Sequence, residues 1–134
     1  MDNDFLFEVD RVADLDGRYA KEAYLFIYDA LKHTVESLGK SELPREQRHI
    51  SGIDLLRGIS EFGLSQFGPL TKTVFEYWGV NKTEDFGRIV FNLVEAELMS
   101  KTEDDSLDDF IDVYDFECEL DWHRRRSEFK KKPD

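Results

Sequence analysis

The chain is predicted to be mainly α-helical, with about five helices around one aromatic-rich core and an irregular acidic C-terminal segment. Three observations predict this. Apolar residues recur at three- and four-residue spacing along five separate stretches. Gly, Pro and capping residues fall between those stretches, where helices start and stop. Eleven Phe, five Tyr and two Trp in 134 residues give enough bulk for one core at single-domain length. At least half of the residues are expected to be helical. A winged-helix-like α+β domain is the alternative, and a β-hairpin after Met99 would distinguish it.

The first helix is read over residues 4–14 from Phe5, Leu6, Val9, Val12 and Ala13. Asp16-Gly17 breaks it, and Asp16 is expected to cap a second helix from about Arg18 to Leu38. The predicted stripe of that helix is Ala20, Ala23, Tyr24, Ile27, Leu31, Val35 and Leu38, with Gly39 as the residue just past its end. Residues 40–50 are a loop, holding Pro44, many charges and little to bury. Ser51 with Asp54 then forms a capping box for a third helix to about Phe67, burying Leu55, Leu56, Ile59, Phe62 and Phe67. Gly58 and Gly63 sit inside it, where each costs about 1 kcal/mol against Ala, so a neighbouring helix is expected to cross closely there.

Gly68-Pro69 ends the third helix and opens a short fourth, Leu70 to Trp78, with Leu70, Val74, Tyr77 and Trp78 available for burial. Gly79 stops it. Thr83 is expected to cap a fifth helix, with Glu84 and Asp85 in its first turn complementing the helix dipole. Phe86, Ile89, Val90, Leu93 and Val94 make its buried face; Phe91 and Leu98 widen the apolar arc, which marks this helix as central. Ser106 with Asp109 is a second capping box, opening one turn through Val113. Ile111 to Cys118 reads alternatively as an extended segment. Residues 1–121 are taken as the single domain and 122–134 as a basic, flexible tail.

Net charge is −12 and unevenly spread. Residues 1–121 hold 28 acids and 12 Lys plus Arg, a charge of −16, whereas residues 122–134 carry +4. The body therefore repels nucleic acid and anionic membrane. No apolar run approaches the ~20 residues of a membrane span. The acidic N-terminus lacks the basic region of a secretory signal, and a lone Cys118 fits a reducing cytoplasm.

The stretch from His49 to Phe116 carries a run of motifs. These are His49 with Ser51-Gly52, Asp54-Leu-Leu-Arg-Gly58, Gln66-Phe-Gly-Pro69 and Trp78-Gly-Val80, then Thr83-Glu-Asp-Phe-Gly87 with Ile89-Val-Phe-Asn-Leu-Val-Glu95. Ser100-Lys-Thr102, Asp109-Phe110 and Val113-Tyr-Asp-Phe116 continue it, and Arg18-Tyr19-Ala20 with Ala23-Tyr24 precede it. In these motifs the chain resembles a family of short bacterial proteins of unknown function, met mostly in planctomycetes, verrucomicrobia and related groups. The resemblance covers most of the chain. One departure is Glu97, where a small residue such as Gly is expected. No activity, cofactor or catalytic residue comes with the likeness.

Several constellations suggest chemistry and have plainer readings. A calcium loop starting at Asp104 puts Ser106, Asp108 and Asp112 at ligand positions, but Asp109 stands where the turn Gly belongs and Asp115 where a bidentate Glu belongs. No metal or other cofactor is expected there. His33, His49 and His123 have neither zinc-ligand spacing nor a neighbouring Cys. Cys118 is flanked by Glu117 and Glu119, which oppose a thiolate. Helices three to five have helix-turn-helix proportions, yet the fifth offers Arg88 against Glu84, Asp85, Glu95 and Glu97, the wrong sign for duplex DNA.

The sequence points first to a small cytoplasmic protein-interaction or regulatory module without catalytic activity, its partner another protein. The dense aromatic–acidic segment supplies the interface candidates Phe116, Trp122, Asp112 and Asp115, with Phe110 and Tyr114 read as docked on the protein's own helices. The second reading is a nucleic-acid-associated protein using Arg124, Arg125, Arg126, Lys130, Lys131 and Lys132. Six bases contact only a few phosphates, so such binding would be weak and sensitive to salt. An acidic metal-dependent enzyme is the third.

Overall fold

The computed structural model describes residues 3–129. It is mainly helical, with 69% of the described residues in helix and no strand among them. The hairpin that would have marked a winged-helix domain is thus absent from the described residues. In chain order the elements are α1 (Asn3–Asp16), α2 (Lys21–Ser37), α3 (Gly52–Phe67), α4 (Thr71–Tyr77) and α5 (Thr83–Glu95), then two single turns, α6 (Phe116–Glu119) and α7 (Trp122–Arg125). Short 3-10 turns stand at Arg45–Gln47, Gly68–Leu70, Leu107–Phe110 and Arg126–Glu128.

Helix α2 packs on α1, α3 and α5, so it shares the central place expected of α5 alone. Its buried face is Ala23, Tyr24, Phe26, Ile27, Ala30 and Thr34. The predicted stripe leaned too far to one side: Leu38 is exposed, and Phe26, Ala30 and Thr34 are buried. A helix with neighbours on three sides buries a wider arc than a single heptad stripe describes. Gly39 does end α2 in the left-handed region, at φ +71.

Two predicted caps are replaced by longer-range contacts. Asp16 does not cap α2, whose N-cap is Ala20 without a side-chain bond. Residues 18–20 instead run alongside the end of α4, where Ala20 N–H donates to the Trp78 carbonyl at 3.1 Å. Gly79, at φ +91, allows this, because a Cβ there would overlap the Arg18 carbonyl oxygen. Thr83 lies inside α5 rather than before it. Its buried hydroxyl donates to the Phe110 carbonyl at 2.5 Å and accepts from Val113 N–H. The N-cap is Lys82, without a side-chain bond, and Asp85 reaches back from the first turn to accept from Asn81 N–H at 2.9 Å.

The short fourth helix buries Thr71 and Phe75, not Leu70 and Tyr77, which are 60% and 87% exposed. Phe75 is the hub of the aromatic core, meeting Phe26, Trp78, Phe86 and Phe116 at centroid distances of 5.1–5.9 Å. On α5 most of the expected face holds: Phe86, Ile89, Val90 and Leu93 are buried, and Val94 at its edge is partly buried. Helix α5 stops at Glu95, and Glu97 then takes φ +63, the left-handed position past a helix end. It is the same position at which the family likeness expects a small residue.

Helix α3 meets its neighbours through its glycines. A Cβ at Gly58 would overlap Thr34 Oγ1 of α2, and one at Gly63 would lie 2.9 Å from both Phe75 and Thr71 of α4. The expected close crossing is therefore present at both glycines.

Gly58→Ala is expected to lower the urea midpoint by an amount worth about 1–3 kcal/mol, as overpacking does. Adding Thr34→Ala should recover part of the loss, which a propensity effect alone would not allow. Glu97→Gly should raise the midpoint, by roughly 0.5–1 kcal/mol, because it relieves the left-handed backbone.

Candidate binding cleft and the aromatic and basic segments

A cleft of about 410 Å³ lies between the outer face of α2, the start of α3 and the end of α5. Its floor is apolar: Leu31 and Val35 from α2, Leu55 from α3, Phe91 from α5, and Leu98 and Met99 just beyond. The Tyr28 hydroxyl donates to the Leu98 carbonyl and fixes that crossing segment on α2. Burial of its ring pushes the Tyr28 phenol up to about 12. The cleft mouth is polar, formed by the 40–50 loop on one side and residues 100–105 on the other. Two tethers hold the loop. Lys40 Nζ donates to the His49 carbonyl at 2.8 Å, and Arg48 Nε donates to the Leu43 carbonyl at 2.7 Å. His49 Nε2 faces Asp105 Oδ1 at 3.4 Å, joining the two sides.

Sequence reasoning missed this site. Its residues come from five separate stretches, and the one local sign, an uncovered apolar side on the C-terminal half of α2, was read as core. Leu31 and Val35 were expected to be buried and are only partly so.

The interface candidates named from sequence divide. Phe116 is buried at 5% exposure, its ring set against Phe75, Phe86 and Tyr114, and so offers nothing to a partner. Tyr114 donates its hydroxyl to the Leu56 carbonyl, and burial raises its phenol far above the usual range. Phe110 is buried between Gly52 and Gly87. Trp122 is half-buried, stacked on Phe129 at 6.0 Å with its ring over Gly68. Asp112 and Asp115 are exposed. Asp112 sits at φ +51, and Asp115 caps α6 by accepting from Glu117 N–H.

Among the acids read as a calcium loop, Ser106 is part of a reciprocal cap. Its hydroxyl accepts from Asp108 N–H, and its own N–H donates to Asp109 Oδ2 at 3.0 Å. That turn ends at Phe110 rather than Val113. Among the described residues no three His, Cys, Asp or Glu side chains are grouped to hold a metal ion.

The basic segment needs the firmest correction. Packing does not stop at residue 121: α7 folds back onto the Gly68–Leu70 turn, and its Arg125 reaches Ser60 of α3. Arg125 is buried at 8% exposure. Its guanidinium donates to Ser60 Oγ of α3, to the Glu119 carbonyl and carboxylate, and to both oxygens of Glu128. Glu128 holds the Arg125 charge in place and is itself drawn below its usual range by that pairing. Arg125 is thus unavailable for a phosphate. Arg124 and Arg126 are exposed, Arg124 donating to the Cys118 carbonyl. Lys130, Lys131 and Lys132 lie outside the described residues.

Two further polar clusters are structural. Arg18 grips Asp16 through two bonds of 2.8 Å, Asn92 adds a third, and the Asp16 carboxyl is held far below its usual range as a result. Buried Tyr19 donates to Asp85 at 2.6 Å; burial first, and that bond second, push its phenol up to about 12. No helix among the described residues is long and apolar enough to cross a membrane.

No protein-family model, curated protein or solved structure matches the chain.

Arg125→Ala is expected to cost about 1–3 kcal/mol in urea unfolding, because Ser60 and Glu119 lose a partner where water reaches poorly. Arg124→Ala, at an exposed site, should stay within about 0.5 kcal/mol. Equal effects of the two changes would show that the fold-back contributes nothing.

Proposed function

We propose that this chain is a small cytoplasmic interaction module that acts by binding another protein, and that it belongs with the bacterial family it resembles. The observation that carries this is the cleft. A pocket of a few hundred Å³ with an apolar floor and a polar mouth is the usual form of a binding site. The titratable groups that lie together elsewhere are engaged in holding helices to one another, as at Asp16, Asp85 and Arg125. With Phe116 and Phe110 buried, the binding surface moves from the aromatic–acidic segment to the cleft. The family reading draws support from Gly52, Gly58, Gly79 and Gly87. All four belong to the motifs that carry the likeness, and each meets a neighbour too closely for a side chain.

The test is an affinity pull-down from native cytoplasm with wild type beside Val35→Trp, which fills the cleft from its floor. Matching far-UV circular dichroism spectra establish that both are folded. A partner held by wild type and lost with Val35→Trp is the expected result. Identical captures from the two proteins would remove the cleft from consideration.

A further inference from the structure

We infer that the cleft takes a segment of a partner protein whose apolar anchor residues are flanked by carboxylates. This deepens the interaction-module reading and rests on it. The argument is one of charge and surface together. The chain has 30 acids against 18 Lys and Arg, so a place where bases outnumber acids departs from its overall balance. Some bases elsewhere pair with acids, Arg11 with Glu8, Lys72 with Glu76 and Glu117, and Arg88 with Glu84 and Asp85. Others, such as Lys21, Arg57 and Arg126, stand exposed on the surface away from the cleft. At the cleft mouth bases outnumber acids. Arg45, Arg48 and Lys101 all line it, and none has an acidic partner among the described residues.

The acids at the same mouth, Glu46 and Asp105, offset them only in part. Asp105 is already engaged, Oδ2 accepting from Thr102 N–H at 2.8 Å and Oδ1 facing His49. The bases remain in excess, three against two, and only Glu46 has both carboxylate oxygens uncommitted. Below them lie Leu31, Val35, Leu55 and Leu98, a floor that rewards apolar side chains by removing their surface from water. An occupant that satisfies both levels has apolar groups in its middle and negative charge at its edge. A long polyanion such as nucleic acid does not fit, because the net charge of −12 repels it beyond the rim. A peptide segment confines its few carboxylates to the rim, within a Debye length of the three bases.

The experiment is selection from a random dodecapeptide phage library on the immobilised full chain. It is run in parallel on Val35→Trp and on the triple variant Arg45→Glu, Arg48→Glu and Lys101→Glu. All three reversed positions are exposed, and because reversing Arg48 also removes its bond to the Leu43 carbonyl, the double variant Arg45→Glu with Lys101→Glu is run beside the triple, with circular dichroism checking the fold of each. The expected result is enrichment of peptides with apolar centres and an excess of acidic flanking residues, lost on Val35→Trp. The charge-reversed variants should instead enrich basic flanks. An enriched acidic peptide, made synthetically, should bind about ten-fold more tightly than its counterpart with amides in place of carboxylates. Enriched peptides without acidic excess, or the same peptides from the charge-reversed variants, would overturn the carboxylate assignment while leaving the cleft as an interaction site. Failure to enrich anything that Val35→Trp abolishes would overturn the interaction reading as well.

Discussion

Helix α3 is the constraint on which the other helices depend, because it presents a bare backbone to each neighbour in turn. Gly52 receives the ring of Phe110, Gly58 receives Thr34 of α2, and Gly63 receives Phe75 and Thr71 of α4. Gly52 and Gly63 share one side of the helix about three turns apart, and Gly58 faces another side between them. Three separate elements can therefore approach one axis without competing for one groove. Each glycine weakens the helix itself by roughly 1 kcal/mol relative to Ala. The close approach offsets that cost by bringing large side chains into full contact: Phe75, Leu56, Ile59 and Leu64 all lie at 0% exposure around this helix.

The irregular segment after α5 does for this fold what a hairpin does for a winged helix: it closes one end of the core. Phe110 is seated between Gly52 of α3 and Gly87 of α5. Its carbonyl accepts the Thr83 hydroxyl, so a residue at the start of α5 holds a segment 27 positions later. Tyr114 then reaches the Leu56 carbonyl, and Phe116 completes the ring cluster around Phe75. The chain needs no strand pairing there, because buried side-chain hydrogen bonds to backbone carbonyls satisfy the polar groups that a ladder would otherwise satisfy. No buried side-chain nitrogen or oxygen among the described residues is left without a partner.

What was legible in the sequence was whatever is settled locally. The face of α5 follows from its own spacing, and Gly39 and Ser51 act where helix ends require them. The close crossings at Gly58 and Gly63 were legible too, since a glycine inside a helix asks for a reason. What was illegible depends on contacts across the chain. Thr83 looks like a cap, but a carbonyl 27 residues away takes its hydroxyl. Asp16 looks like a cap, but Arg18 and Asn92 hold its carboxylate. Phe116 and Arg125 looked like surface because their neighbours in sequence are charged. Each is buried by partners on other helices, Phe75 and Ser60. The cleft was hidden for the same reason, being assembled from loop, helix and post-helix residues that no window of sequence contains.

Charge shows the same division between local and distant use, and it bears on where binding can occur. Many acids of this acidic chain are committed to the fold. Asp115 and Asp121 cap single helical turns, Asp109 closes the Ser106 turn, Asp85 holds Asn81 N–H and the Tyr19 hydroxyl, and Asp16 and Glu119 grip Asn92 and the buried Arg125. A carboxylate used as a cap is partly neutralised by the helix N-terminus it faces. The formal charge thus overstates how uniformly negative the surface is. Bases are scarcer, and several, such as Lys21, Arg57 and Arg126, stand exposed and apart from one another. Arg45, Arg48 and Lys101 instead stand together at the mouth of an apolar cleft. Capping accounts for an aspartate before a turn, and ion pairing accounts for Arg88 or Lys72. Arg48 tethers the 40–50 loop through the Leu43 carbonyl, but neither capping nor ion pairing accounts for Arg45, Arg48 and Lys101 gathered around Leu31 and Val35, and an anionic, apolar occupant does.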